Sequence, residues 1–215
     1  ADSLTPAEWL SLAAVCLLGA LSPGPSLAVV MGNTLRQGIA AGIATALSHG
    51  LMVGGYALAT ALGLAALIAG SPGVYNLLAL AGAAYLLWLG ASALRAGDGA
   101  TAEGSTTAAR PGPSAGLGGA CRDGLAIALF NPKIAVFFLA LFSQFVTPGA
   151  PWPVVLGLAA TAMVVDAGWY ALVATVLSRS GAARWLRRHQ RWLDRLTGVV
   201  LVGLALTTVV GVAGG

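Results

Sequence analysis

Apolar residues in this chain do not alternate with polar ones; they run together. Six predominantly apolar stretches cover about 9–31, 39–69, 74–94, 124–146, 154–177 and 196–214. Runs of about 18 or more such residues read as membrane-spanning helices. The second stretch is long enough to hold a tilted helix and part of a loop. Once the six are removed, no segment remains that could fold as a soluble domain. The pattern predicts an all-α integral membrane protein of six transmembrane helices.

Composition agrees. The 215 residues are 58% hydrophobic and 8% charged, with a mean hydropathy of +0.86, whereas a soluble domain carries roughly 25% charged residues. The net charge of +4 is unevenly placed. If the chain crosses six times, Arg36, then Arg95, Arg110 and Arg122, then Arg179, Arg184, Arg187, Arg188, Arg191 and Arg195 all fall on one side. The loops near 70–73 and 147–153 and both termini carry no Lys or Arg. Short basic loops stay cytoplasmic, so both termini are expected outside. Loops 1–2, 3–4 and 5–6 then face the cytoplasm. The basic stretch from Arg184 to Arg191 is explained by topology and anionic lipid headgroups, with no nucleic acid. The first span is read as a retained helix rather than a signal peptide, because Asp2 and Glu8 precede it in place of a basic region. Trp9 and Trp152 fall near one interface and Trp88, Trp185 and Trp192 near the other, as in an aromatic belt. Cys16 and Cys121 lie at different depths, which argues against a disulfide.

A Gly-, Ala-, Ser- and Pro-rich segment, 97–119, reads as a flexible cytoplasmic linker. It separates residues 1–96 from 120–215, each holding three spans. The halves resemble each other weakly and in the same order. Gly24-Pro25-Ser26 aligns with Asn131-Pro132-Lys133, Gly54-Gly55-Tyr56 with Gly168-Trp169-Tyr170, and Leu77, Leu80 and Gly82 with Leu193, Leu196 and Gly198. With three spans per half, the second half must insert inverted. Two inverted three-helix repeats with interrupted helices in matching places point to a transporter whose site lies between them.

Candidate chemistry gathers at those interruptions. Ser22-Pro23-Gly24-Pro25-Ser26 breaks the first span, since proline removes backbone donors and clashes with the preceding turn. A plain kink is the alternative to a discontinuous, substrate-binding helix. The fourth span breaks at Asn131-Pro132-Lys133. A lysine at the bilayer centre costs about 2.5–3.5 kcal/mol on insertion scales. It either faces the interior to meet a carboxylate or snorkels to the interface, over about 16 Å of helix from Arg122. Asp166 is central in the fifth span, and a proton-carrying role competes with a static pair to Lys133. His49 could relay protons or simply bond across a helix interface. Tyr56 and Tyr170, at matching repeat positions, either line the same cavity or pack. Two histidines and two separated cysteines are too few for a dedicated transition-metal site, and no cofactor motif is present. Nucleophile-elbow, zincin, P-loop and dinucleotide fingerprints are missing, so the chain reads as no enzyme and no ATPase; transport would draw on an ion gradient or run downhill.

At these residues the chain resembles the LysE/RhtB family of bacterial amino-acid exporters. The resemblance rests on Leu21-Ser22-Pro23-Gly24-Pro25-Ser26, Gly38 through His49-Gly50, Gly82-Ala83-Ala84-Tyr85-Leu86-Leu87-Trp88-Leu89-Gly90, and Asn131-Pro132-Lys133. It is closer to the homoserine/threonine-type branch than to the lysine exporter. The resemblance implies efflux of amino acids such as lysine, arginine, threonine, homoserine or leucine across a bacterial inner (plasma) membrane, coupled to the proton motive force. One interior acid and one interior lysine complement a small neutral zwitterion. The expected partners are an amino-acid substrate, protons and membrane lipids. Gly- and Ala-rich helix faces leave a homo-oligomer open. A metal-cation or other small-solute transporter is the alternative, and an intramembrane enzyme or passive subunit a more distant one.

Overall fold

The computed structural model describes residues 4–22, 24–95, 116–142, 145–146, 150–178 and 182–213. Every regular element among the described residues is a helix: α1 (Pro6–Leu21), α2 (Pro25–Gln37), α3 (Ile39–Gly70), α4 (Pro72–Arg95), α5 (Gly116–Leu129), α6 (Pro132–Phe142), α7 (Trp152–Leu177) and α8 (Ala182–Ala213). Pro6, Pro25, Pro72 and Pro132 each open a helix, where a missing N–H is no loss and the fixed φ suits the first turn. Thr5 caps α1 in a capping box: its hydroxyl accepts from the Glu8 N–H, and its own N–H donates to Glu8 Oε2 at 2.7 Å. These bonds hold the exposed Glu8 carboxyl below its usual range. Gly38 joins α2 to α3 with φ of 91°, a left-handed conformation that glycine adopts without a Cβ penalty.

Both proline motifs interrupt their helices. The chain bends by 65° between α1 and α2 and by 56° between α5 and α6. Each bent pair is long and apolar enough to count as one broken span, and α3 (through Ile39–Gly63) and α7 qualify as unbroken ones. Among the described residues, α4 and α8 hold shorter apolar stretches, Ala79–Ser92 and Gly198–Ala213. The second apolar run, expected to end partly in a loop, is one continuous helix of 32 residues. Residues 116–119, assigned to the linker by composition, form the first turn of α5; the rest of 97–119 lies outside the described residues.

The helices meet through small residues. α3 packs most extensively along α7 and α4 along α8, with α3 also touching α2, α5 and α6. A Cβ at Gly90 or at Gly198 would lie 2.8 Å from the other glycine's carbonyl oxygen, and one at Gly124 would lie 2.4 Å from the Thr45 carbonyl oxygen. Without side chains there, backbones approach closely and dispersion contacts accumulate, as apolar helices in lipid require. The core is built around Leu12, Leu86, Phe138, Phe142, Leu158 and Leu201. The outer surface is apolar too: Leu10, Leu51, Leu77, Val164 and Val210 are all more than half exposed. In water such a surface would aggregate; against lipid it is matched.

Candidate functional site

The ends of the interrupted helices converge on one cavity of about 50 Å³, lined by residues of α1, α2, α3, α6 and α7 and of the breaks between the half-helices. Gly24, Pro25 and Ser26 start α2 there, and Asn131 and Lys133 stand at the start of α6. Two helix N-termini thus face the same space, and each brings the positive end of its dipole. Gly19 and Ala20 bring the opposite, negative end of α1 to the same wall.

Asn131 holds the second break together. Its side-chain oxygen accepts from the Lys133 N–H at 3.1 Å, an N-terminal cap of the usual kind. Its amide nitrogen donates to Ser26 Oγ at 3.3 Å, which ties the two interruptions to each other. Ser26 Oγ in turn lies 2.9 Å from His49 Nε2, and His49 Nδ1 lies 2.6 Å from Asp166 Oδ2. His49 is 1% exposed and Asp166 13%. The ring of Tyr170 stands edge-on to His49, with centroids 5.0 Å apart. With Asp166 ionised, His49 Nδ1–H donates to it and Nε2 accepts from the Ser26 hydroxyl, which itself accepts from Asn131. Protonation of the imidazole would make both nitrogens donors, and Ser26 would then rotate to accept. Asn131, Ser26, His49 and Asp166 thus form one continuous run of hydrogen bonds from the second break to α7. Lys133 Nζ donates to Ser22 Oγ across the cavity.

Of the sequence-predicted residues, Ser22, Gly24, Pro25, Ser26, His49, Asn131, Lys133, Asp166 and Tyr170 all line this cavity. Pro132 opens α6 beside it. Pro23 lies outside the described residues. Tyr56 is elsewhere: its hydroxyl donates to the Leu129 carbonyl at 2.8 Å, capping the end of α5 where Pro132 interrupts the ladder. The two repeat-matched tyrosines thus sit differently, one against the imidazole and one on a helix end. Asp166 is bonded to His49, a partner that its sequence position did not disclose.

The chain belongs to the LysE-type translocator family. The family model matches residues 17–211, which includes both proline breaks and every residue of the cavity except Cys16. This is a family of translocators, not of enzymes. A threonine efflux protein of Escherichia coli is 28% identical over 209 residues, 94% of this chain and 97% of that one. A leucine efflux protein of Klebsiella pneumoniae is 30% identical over 192 residues, 86% of each chain. An uncharacterized membrane protein of Pseudomonas aeruginosa is 31% identical over 191 residues, 86% of this chain and 87% of that one. No solved structure matches.

A second polar cluster escaped the sequence reading. Asn33 Nδ2 donates to Thr45 Oγ1 at 2.9 Å and to Asp123 Oδ2 at 3.3 Å, and all three side chains are buried. Gln37 Nε2 donates to Asn33 Oδ1 at 3.4 Å, and the Gly116 N–H donates to Gln37 Oε1 at 3.1 Å. Asp123 precedes the fourth apolar run by one residue, so a hydropathy window counts it as loop. Its helix begins at Gly116, and that is what buries it. Among the described residues, no three His, Cys, Asp or Glu side chains gather as a metal would require. Cys16 and Cys121 are both free thiols.

Proposed function

We propose that this translocator exports a small neutral amino acid from the cytoplasm, driven by proton entry, and that the cavity between the two broken helices is its substrate site. The observation that carries this reading is the convergence of opposite charges on a cavity too small for a large solute. Lys133 and the N-termini of α2 and α6 suit a carboxylate. Asp166 and the C-terminal end of α1 suit an ammonium. A zwitterion satisfies both ends at once, whereas a cationic side chain would demand a further negative group. At about 50 Å³ the space holds on the order of three to five water-sized groups, the scale of a small amino acid. The relatives named for threonine and leucine efflux both handle neutral amino acids.

In this reading Lys133 releases Ser22 to meet the substrate carboxylate. Asp166 and His49 exchange a proton with the outside as the cavity changes its side of access. The architecture is six spans in two inverted halves, with α1–α2 matched to α5–α6, α3 to α7 and α4 to α8. The pairing of α3 with α7 and of α4 with α8 supports it, since a two-fold axis in the membrane plane brings equivalent helices together. The arginine-bearing ends face the cytoplasm of a bacterial inner membrane.

Proteoliposomes loaded with a panel of labelled amino acids, under an imposed pH gradient, test the reading. The expected result is selective release of one small neutral amino acid that stops when the gradient is collapsed. Retention of every amino acid by vesicles holding folded protein would overturn it.

A further inference from the structure

The cavity and the Asn33–Thr45–Asp123 cluster lie along the same helix faces. On α3, Thr45 precedes His49 by one turn; on α2, Asn33 follows Ser26 by two, which separates the polar groups by about 6 and 10 Å along the respective axes. Between them is a thin apolar layer: Leu27 and Val30 of α2, Ala46 of α3, and Val173 and Ala174 of α7. Beyond the cluster the bundle ends, at the close of α2, the start of α3 and the start of α5. Arg36 and Arg122 are at this end. The Gly116–Gln37 bond fastens the opening of α5 to the last residue of α2. The opposite wall of the cavity is far thicker, because the main core from Leu12 through Phe142 and Leu158 fills it.

We infer that Asp123, through Asn33 and Thr45, is a positioning residue for transport: it clamps α2, α3 and α5 together and so closes the arginine-bearing entrance to the cavity. The proposal deepens the export reading, because substrate taken from the cytoplasm must pass this point. A buried amide that donates to both a hydroxyl and a carboxylate is strong only while α2, α3 and α5 all hold their places. Separation of α2 from α5 wets all three groups together, and the clamp therefore has two states, closed and hydrated. The apolar layer behind it is about one turn thick along α3 and two along α2, so modest packing resists opening once the polar bonds are exchanged for water.

Cys16 makes the entrance measurable. It lines the cavity, is 6% exposed, and is one of two cysteines in the chain. In full-length Cys121→Ser protein reconstituted in one orientation, Cys16 is titrated with a membrane-impermeant methanethiosulfonate applied to either face. The parent should react slowly from both. Asp123→Ala and Asn33→Ala should raise the rate from the arginine-bearing face by about tenfold, the effect expected for loss of one hydrogen bond to a charged group. The rate from the other face should stay unchanged. Asp123→Asn keeps an oxygen to accept from Asn33 and should remain protected. Thr45→Val keeps the volume and removes the acceptor, so it should open the entrance even if an alanine variant fails to fold. The inference is overturned if folded variants react at the parent rate. It is overturned equally if both faces accelerate alike, which is general loosening. No substrate enters this assay, so its failure would leave the efflux reading intact, and a failed efflux assay would leave the clamp standing.

Discussion

At the scale of single residues, the proposed site is a set of polar and ionisable groups bonded to one another, partners that a substrate would have to replace. Asp166 is held 2.6 Å from His49, and Lys133 donates to Ser22. An ionisable side chain this deep in an apolar bundle is costly without partners, and the partners are groups that a zwitterion can replace. Two predictions belong here. Asp166→Asn preserves the shape and a hydrogen-bond acceptor for His49 but cannot take up a proton at neutral pH. Efflux driven by a pH gradient should fall to background, while the protein still elutes as a monodisperse peak; an unchanged pH-dependent rate would remove Asp166 from the coupling step. Lys133→Met keeps the length of the side chain and loses the charge. Loss of a hydrogen bond to a charged group is worth about 1.5–3 kcal/mol, so the KM for efflux should rise by about ten- to a hundredfold, measured from initial rates at varied internal substrate.

At the scale of elements, the interruptions matter more than the helices. Pro25 and Pro132 stop a continuous backbone ladder where it would otherwise seal the cavity, and each then starts a new helix whose N-terminus points inward. Asn131 both caps α6 and ties it to Ser26. Asn131→Ala should cost the cap about 1 kcal/mol and uncouple the two breaks, lowering both thermal stability and transport. Away from the site, close helix crossings depend on missing side chains. Gly198→Val would drive a Cβ against the Gly90 carbonyl and Leu94, and overpacking of this kind costs about 1–3 kcal/mol. The apparent Tm in detergent should drop by several degrees, about 2–4 per kcal/mol for a chain of this size. Gly203 has nothing within 4 Å of an added Cβ, so Gly203→Ala is the neutral comparison in the same melt.

At the scale of the whole molecule, the question is which end opens. The arginine-bearing end is closed by a polar clamp and a thin apolar layer, the other by the main core, so the two closures differ in depth and chemistry. In the cysteine-free Cys16→Ser, Cys121→Ser background, Arg36→Cys should react with an impermeant reagent from the cytoplasmic face of inverted vesicles and not from intact cells. The reverse pattern would invert the proposed topology. The chain alone determined that this is a membrane-embedded bundle of helices and where two of those helices break, and it singled out Ser22, Ser26, His49, Asn131, Lys133 and Asp166, which line one cavity. Hydropathy and proline act locally, and a charge buried in lipid stands out wherever it occurs. Tertiary structure alone decided that Asp166 bonds His49, that Tyr56 serves a helix end while Tyr170 serves the site, and that Asn33, Thr45 and Asp123 form a second cluster. Those pairings join side chains up to 117 positions apart, and which polar group meets which is set by helix rotation and crossing, to which hydropathy along the chain is blind.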